Sequence, residues 1–354
     1  STLFSYNFTT SSENLKVMRI GILTSGGDCP GINATIRGVC KTAISHYGME
    51  VYGIRSGFRG LLDNDIIPLD ENSLTGLLSM GGTILGTSRE KPFKNRANVP
   101  VSEDKPAMML KTIRERKLDC VVCIGGNGTQ KTAAKLAATG VNVVTVPKTI
   151  DNDVWGTDIS FGFDSAVSIA TEAIDRLHST ASAHQRVMVI EVMGHKAGWI
   201  ALYSGMAGGG DIILLPEIPF DIHRIGDTII SRLKKGKPYS IVVVAEGIPT
   251  LGGKKAAQYI AEEIEYETGF ETRETVLGYI QRGGGPTAFD RNLATRMGGH
   301  ATELIASGQF GRLVSLRGSE ITSVPLGEVA GKLKLVTEEH DLVIQGRRMG
   351  ICFG

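Results

Sequence analysis

Residues 141–153 read Val-Asn-Val-Val-Thr-Val-Pro-Lys-Thr-Ile-Asp-Asn-Asp. Val141 to Val146 is a mainly apolar run of strand length. Pro147 ends it, because proline has no backbone N–H for a sheet ladder and biases the residue before it to extended geometry. The segment therefore predicts a loop at the carboxyl end of a buried strand, which in open α/β sheets is where ligands bind. That loop sets two carboxylates, Asp151 and Asp153, two residues apart, with Lys148 three residues before the first. The pattern suggests a catalytic base at Asp151, with Asp153 helping to hold a metal–phosphate complex.

Related arrangements precede it. Val17 to Thr24 is an apolar run followed by Ser25-Gly26-Gly27-Asp28 and a helical pattern from Gly31 to about His46. Leu118 to Ile124 is another, followed by Gly125-Gly126-Asn127-Gly128-Thr129 and a helix from Gln130 to about Ala138. A strand, a glycine turn and a helix amino end form an anion site, since free N–H groups and the helix dipole converge there. Ser79 to Arg89 adds a second glycine-rich loop that ends on arginine, the side chain best shaped to grip phosphate. Any one of these reads equally well as a tight turn or a solvated loop. Three that can converge at one sheet edge form a more specific pattern.

The alternation continues downstream. Phe161–Thr180, Ile222–Lys234, Ala256–Tyr266 and Thr287–Ser307 have helical spacing. Arg186–Val192, Asp211–Leu215 and Ser240–Ala245 read as strands, the last ending at Glu246. Met193-Gly194-His195 is expected to open a helix through Met206, and Gly57–Gly60 to form a turn. Beyond Gly308 the pattern weakens to a strand at Leu313–Leu316, a helix near Leu326–Leu333 and a loose tail. The fold class is α/β: two doubly wound, mainly parallel sheet lobes with the active site in the cleft between them. One lobe is expected at 17–160 plus part of the C-terminal region, the other at 161–310, with 1–16 as a flexible arm.

Composition narrows the function classes. The 354 residues are 42% hydrophobic and 21% charged, with net charge +1. That supports one large or two medium cores and gives no global field for nucleic acid or an anionic membrane. No apolar run approaches the ~20 residues needed to span a bilayer. The polar Ser1–Lys16 segment has no signal-peptide character, and the expected location is cytoplasmic. Cys120 and Cys123 share a C-x-x-C spacing, but on a strand they face opposite sides, so all five cysteines are expected as thiols.

Six segments thus stand in a fixed order: Thr24–Asp28, Gly81–Arg89, Gly125–Thr129, Pro147–Asp153, Glu191–His195 and Leu277–Gly284. This arrangement resembles the 6-phosphofructokinase family, densely from about Ile20 to Ile305. The resemblance implies phosphoryl transfer from ATP, with Mg2+, to the 1-hydroxyl of fructose 6-phosphate, giving fructose 1,6-bisphosphate in glycolysis. It makes Asp151 the base and lines the sugar with Thr149 and Ile150. It gives the sugar phosphate to Arg186, Arg273 and Arg282, the first two reaching from a neighbouring subunit. A homodimer or homotetramer with shared sites follows. Glu246 would accept from sugar hydroxyls, and Met193, Gly194 and His195 would pack along the sugar. Tyr279, where many members have histidine, joins Ile280 and Gln281 in the substrate set. The donor would meet Gly27, Arg89, Asn127, Gly128 and Thr129, and the metal Asn127 and Asp153.

Two residues pull the donor assignment apart. Gly128 leaves space for the α-phosphate of ATP, where pyrophosphate-using relatives carry an aspartate. Lys148 stands where pyrophosphate users carry lysine and common bacterial ATP enzymes have glycine. Because the glycine acts by steric permission, ATP is preferred, with pyrophosphate as the alternative donor. Asn127 replaces a metal-associated aspartate, and an amide contributes no charge to a metal. This leaves a weakly active or non-catalytic regulatory subunit as a further alternative. Phe58 stands where a tyrosine touches adenine in bacterial ATP enzymes.

Overall fold

The computed structural model describes residues 17–94 and 104–354; the arm expected at 1–16 lies outside them. In chain order the first elements are β1 (Arg19–Ser25), α1 (Ile32–Lys41), β2 (Glu50–Ile54), α2 (Phe58–Asp63), β3 (Ile66–Leu69) and α3 (Lys105–Glu115). They are followed by β4 (Cys120–Gly125), α4 (Asn127–Ala138), β5 (Val143–Pro147), α5 (Phe163–His184), β6 (Val187–Val192) and α6 (Trp199–Ala207). Next come β7 (Ile212–Leu214), α7 (Ile222–Lys234), β8 (Ser240–Ala245), α8 (Ala256–Thr268) and β9 (Thr272–Val276). The last are α9 (Ala288–Ala306), β10 (Arg312–Arg317), β11 (Glu320–Pro325), α10 (Leu326–Val329) and α11 (Asp341–Arg348).

Two sheets result. One has seven strands in the order β11-β10-β5-β4-β1-β2-β3, and the other four in the order β7-β8-β6-β9. All pairings are parallel except β2–β3 and β10–β11 at the edges of the larger sheet. Strands β4, β5, β6 and β8 are buried along their whole length. Helices cover both faces of such strands, which explains why they read as continuous apolar runs. Cys120 and Cys123 point into two different core clusters, as the period of a strand requires. Strand order reverses between β1 and β4, so the glycine turns that follow these two neighbours flank the switch point.

Several local expectations change. The predicted turn at Gly57–Gly60 becomes the start of α2, which buries Phe58, Leu61 and Leu62 at helical spacing. Phe58 is therefore core rather than an adenine platform. Met193-Gly194-His195 stays a loop, and α6 starts only at Trp199. Gly194 (φ 148°) and His195 (φ 54°) both lie outside the helical region. Helix α4 begins at Asn127, so Asn127, Gly128 and Thr129 are its first turn rather than a preceding loop. Helix α9 lies in the sequence interval expected for the second lobe, yet it packs on α1 and β5 of the larger sheet. The tail is not loose: β11 pairs with β10, and Cys352 bridges to Ile212 beside the smaller sheet. Its pattern is faint because β11 is a half-exposed edge and α11 buries only Val343 and Gly346. Among the described residues, no helix is long and apolar enough to cross a membrane.

Candidate active site

The turn after β1 is built for close approach. Gly26 adopts φ 86°, where an L side chain is strained. An added Cβ on Gly27 would sit 2.8 Å from Nη1 of Arg282, so the guanidinium lies directly over this turn and a side chain there would have to displace it. The Gly81–Arg89 loop is latched alongside. Gly26 N–H donates to the Ser88 carbonyl at 3.0 Å, and Thr87 Oγ1 donates to the Gly26 carbonyl at 2.6 Å. From the neighbouring strand, Thr129 Oγ1 donates to the Ser25 carbonyl at 3.3 Å, tying the first turn of α4 to the first glycine turn. No side chain caps α4, so its leading N–H groups stay free at the cavity. A Cβ on Gly128 would meet nothing within 4 Å.

The loop after β5 closes the third side. Lys148 is buried, and its ammonium donates to the Gly27 carbonyl. Burial lowers its pKa, and the neighbouring Arg282 charge adds to that. Asp151 N–H donates to Thr149 Oγ1 at 3.0 Å, and Ser160 Oγ donates to the Thr149 carbonyl at 2.9 Å. Asn152 sits between the two carboxylates at φ 53°, a left-handed turn that aims both. Asn127 Nδ2 donates to the Asp153 carbonyl at 3.3 Å, leaving its Oδ1 as the acceptor atom.

These loops enclose a cavity of about 290 Å3. Its wall brings together the predicted Gly27, Arg89, Asn127, Gly128, Thr129, Lys148, Thr149, Ile150, Asp151, Asp153, His195 and Arg282. Asp151 Oδ1 is buried with no hydrogen-bond partner. Burial pushes its pKa up to about 6, helped by the charges of Asp153 and Glu246 and opposed by Arg282 and His195. Burial also raises Asp153. A carboxylate that is desolvated, unpartnered and poised near neutrality can take a proton from a hydroxyl.

Other predicted residues lie elsewhere. Glu246 Oε1 accepts from the backbone N–H groups of Gly194 and His195, at 3.1 and 2.7 Å, so this carboxylate holds the turn that carries His195. Gln281 is fully buried. Its Oε1 accepts from Met193 N–H at 3.3 Å and its Nε2 donates to the Gly278 carbonyl at 3.1 Å. Its amide thus supports Met193 from behind rather than facing a ligand. Tyr279 and Ile280 are exposed beside Arg282, whose guanidinium carbon lies 5.1 Å from the Tyr279 ring centre.

Arg186 and Arg273 are far from this cavity. Both sit at the amino end of the smaller sheet, where Arg186 pairs with Glu271 at 2.7 Å and Arg273 pairs with the same carboxylate. Met193 leaves the opposite end of β6. At ~3.3 Å per extended residue, the interval from Arg186 to Met193 spans roughly 23 Å. Ser25, Gly26, Asp28 and Gly126 belong to the expected glycine turns, whereas Glu90, Lys91 and Thr132 of the cavity wall have no counterpart in the sequence reading. Glu90 directly adjoins Arg89, and that adjacency was the available signal. Lys334, which holds Asn152, had none: it lies 182 residues further on.

Comparison with known proteins agrees with the geometry. The family model described as phosphofructokinase matches residues 19–305. Over 337 residues, 95% of this chain and 100% of the relative, the chain is 80% identical to "ATP-dependent 6-phosphofructokinase 3" of Bacteroides thetaiotaomicron. It is 46% identical, over 90% of this chain and 96% of the relative, to "Pyrophosphate--fructose 6-phosphate 1-phosphotransferase" of Streptomyces coelicolor. A crystal structure of Pichia pastoris phosphofructokinase in the T-state superposes with TM-score 0.81 and 32% identity, covering 89% of this chain and 35% of that one. Glycine turns at the switch point, a paired-carboxylate loop after the next strand and a matching sequence along most of the chain lead to one conclusion: this chain belongs to the phosphofructokinase family.

Proposed function

We propose that the chain is an ATP-dependent 6-phosphofructokinase that moves the γ-phosphoryl group of ATP to the 1-hydroxyl of fructose 6-phosphate. The observation that carries this reading is Asp151, a half-buried carboxylate whose Oδ1 is buried and unpartnered where two glycine turns and the His195 turn meet. Asp151 takes the hydroxyl proton as the oxygen attacks. Phosphoryl transfer asks the rest of the site for in-line positioning and charge neutralisation. Gly27, Arg89, Asn127, Gly128 and Thr129, on the lobe of the larger sheet, hold the donor. Thr149, Ile150, Met193, Gly194, His195 and Arg282 hold the sugar phosphate, and Glu246 offers Oε2 to a sugar hydroxyl.

Among the described residues, no three His, Cys, Asp or Glu side chains cluster as a cation cage. Asp153 and the Oδ1 of Asn127 at the cavity wall fit a Mg2+ ion held mainly by phosphate oxygens. Bound there, Mg2+ supplies positive charge to the phosphate oxygens. Arg186 and Arg273 stand at the wrong end of their sheet to serve their own Asp151. They serve the site of a neighbouring copy, which makes the enzyme a homo-oligomer with shared sites.

Pyrophosphate as donor is the second reading, favoured by the buried ammonium of Lys148 against the Gly27 carbonyl. The open space over Gly128 weighs for ATP. The deciding assay offers purified chain saturating fructose 6-phosphate with either donor and follows fructose 1,6-bisphosphate. ATP is expected to support turnover and pyrophosphate to be at least ~100-fold slower, since removing a snug donor fit costs several kcal/mol. The reverse order establishes the second reading. Sugar-phosphate binding with no turnover from either donor establishes a regulatory subunit.

A further inference from the structure

We propose that Lys334 is a positioning residue for the Asp151–Asp153 loop, acting from a carboxyl-terminal strap that lies beyond the family-matched 19–305. The inference rests on Asp151 being the base.

Asn152 is the pivot between the two carboxylates, and a left-handed asparagine persists only when its surroundings hold it. Its Oδ1 accepts from Ser160 N–H and from Lys334 Nζ, both at 3.0 Å. The same ammonium donates to the Thr157 carbonyl at 3.1 Å and to the Asp158 carbonyl at 2.5 Å. All three N–H donors of a lysine are thus spent on the loop and its return. The backbone joins in: Lys334 N–H donates to the Asp153 carbonyl at 2.9 Å, next to a bridge between Leu333 and Val154.

The other side of the strap grips the second lobe. Trp199 Nε1 donates to the Lys334 carbonyl at 2.9 Å, and the Lys334 ammonium lies 5.3 Å from the centre of the Trp199 ring. Val336 N–H donates to Glu217 Oε1 at 3.0 Å, and that carboxylate also accepts from Gly198 N–H at 2.9 Å. Gly198 lies three residues after His195 of the cavity wall. The strap therefore fixes the base loop relative to the His195 turn across the two sheets. Lys334 itself does not line the cavity. Its role is to hold Asn152, and through it the aim of Asp151.

The test replaces Lys334 by methionine, which keeps the length and removes the donors. Two measurements are made on parent and variant. In steady state, kcat is expected to fall about 30-fold while KM for fructose 6-phosphate stays within about twofold, the signature of a misaimed base. In hydrogen exchange, the amides of the 148–160 segment are expected to exchange at least about tenfold faster, with the glycine turns unchanged. The hydrogen-exchange measurement needs no turnover, so it stands even if the parent shows none; failure of the parent to turn over counts against the assigned function, not against the strap. Equal kcat or equal exchange in the variant overturns the inference. If the methionine variant cannot be purified folded, the same measurements decide it on Trp199→Phe, which removes the indole N–H bond to the Lys334 carbonyl and part of the ring beside its ammonium. A fall in kcat of threefold or more at unchanged KM supports the role, and an unchanged kcat rejects it.

Discussion

Asp151 concentrates the site's energetics in one side chain. Its pKa rises from 3.8 to about 6 because folding desolvates it beside Asp153 and Glu246. A carboxylate raised by folding destabilises the native state above its unfolded pKa, and the cost is relieved as pH falls through about 6. One pKa unit is ~1.4 kcal/mol, so the cost at pH 7 is on the order of 3 kcal/mol. Asp151→Asn is therefore expected to raise the thermal midpoint at pH 7 while lowering kcat by roughly 10³, the range of a lost general base. A midpoint equal to or below that of the parent at pH 7 counts against the desolvated carboxylate. The kcat/KM profile of the parent is expected to decline below pH 6, because only the ionised form accepts a proton. A flat profile down to pH 5 removes Asp151 from the role of base.

At the scale of elements, two junctions make opposite demands on glycine. Helices α1 and α9 cross with backbones in contact: a Cβ on Gly298 would lie 2.5 Å from the Thr35 carbonyl oxygen and 2.9 Å from Val39 N. Gly298→Ala is expected to cost roughly 1–3 kcal/mol, read as a lower urea midpoint, with KM values unchanged because the crossing lies under the sheet. At the start of α4 the demand comes from the ligand alone. Gly128 has open space around its Cα, and an acidic residue in a first helical turn is favourable to the helix. Gly128→Asp is expected to leave the unfolding free energy from a urea titration within about 0.5 kcal/mol of the parent while cutting kcat/KM for ATP at least tenfold and sparing pyrophosphate. Equal loss with both donors means that the residue acts on the fold and not on donor choice. The same helix shows how far pattern reading goes. Its strand and glycine turn are legible in the sequence, but the helix starts at Asn127, three residues before the expected Gln130, because a glycine-rich run looks like a loop until the strand before it dictates where the helix must launch.

For the whole molecule, the separation of Arg186 and Arg273 from the cavity is the dominant fact. If two copies complete each other's sites, Asp151→Asn and Arg273→Ala are each nearly inactive alone. Reassociated in equal amounts, they are expected to regain about a quarter of parental activity, since half the pairs are hybrids and each hybrid holds one intact site of two. No recovery after verified subunit exchange refutes the shared site.

What the sequence determined by itself was what acts over a few residues. Continuous apolar runs marked the buried strands. Pro147 ended one of them, glycine turns marked where strands hand over to helices, and Asp151 stood beside Asp153 because they are neighbours in the chain. The tertiary structure alone decided which of the predicted residues meet. It carried Arg186 and Arg273 to the far end of their sheet, turned Gln281 inward under Met193, and engaged Glu246 with the His195 turn. It also brought Lys334 across 182 residues to hold Asn152. The physical reason is range. Periodicity, propensity and turn chemistry act locally, whereas packing two sheets and a carboxyl-terminal strap sets distances that no local pattern encodes.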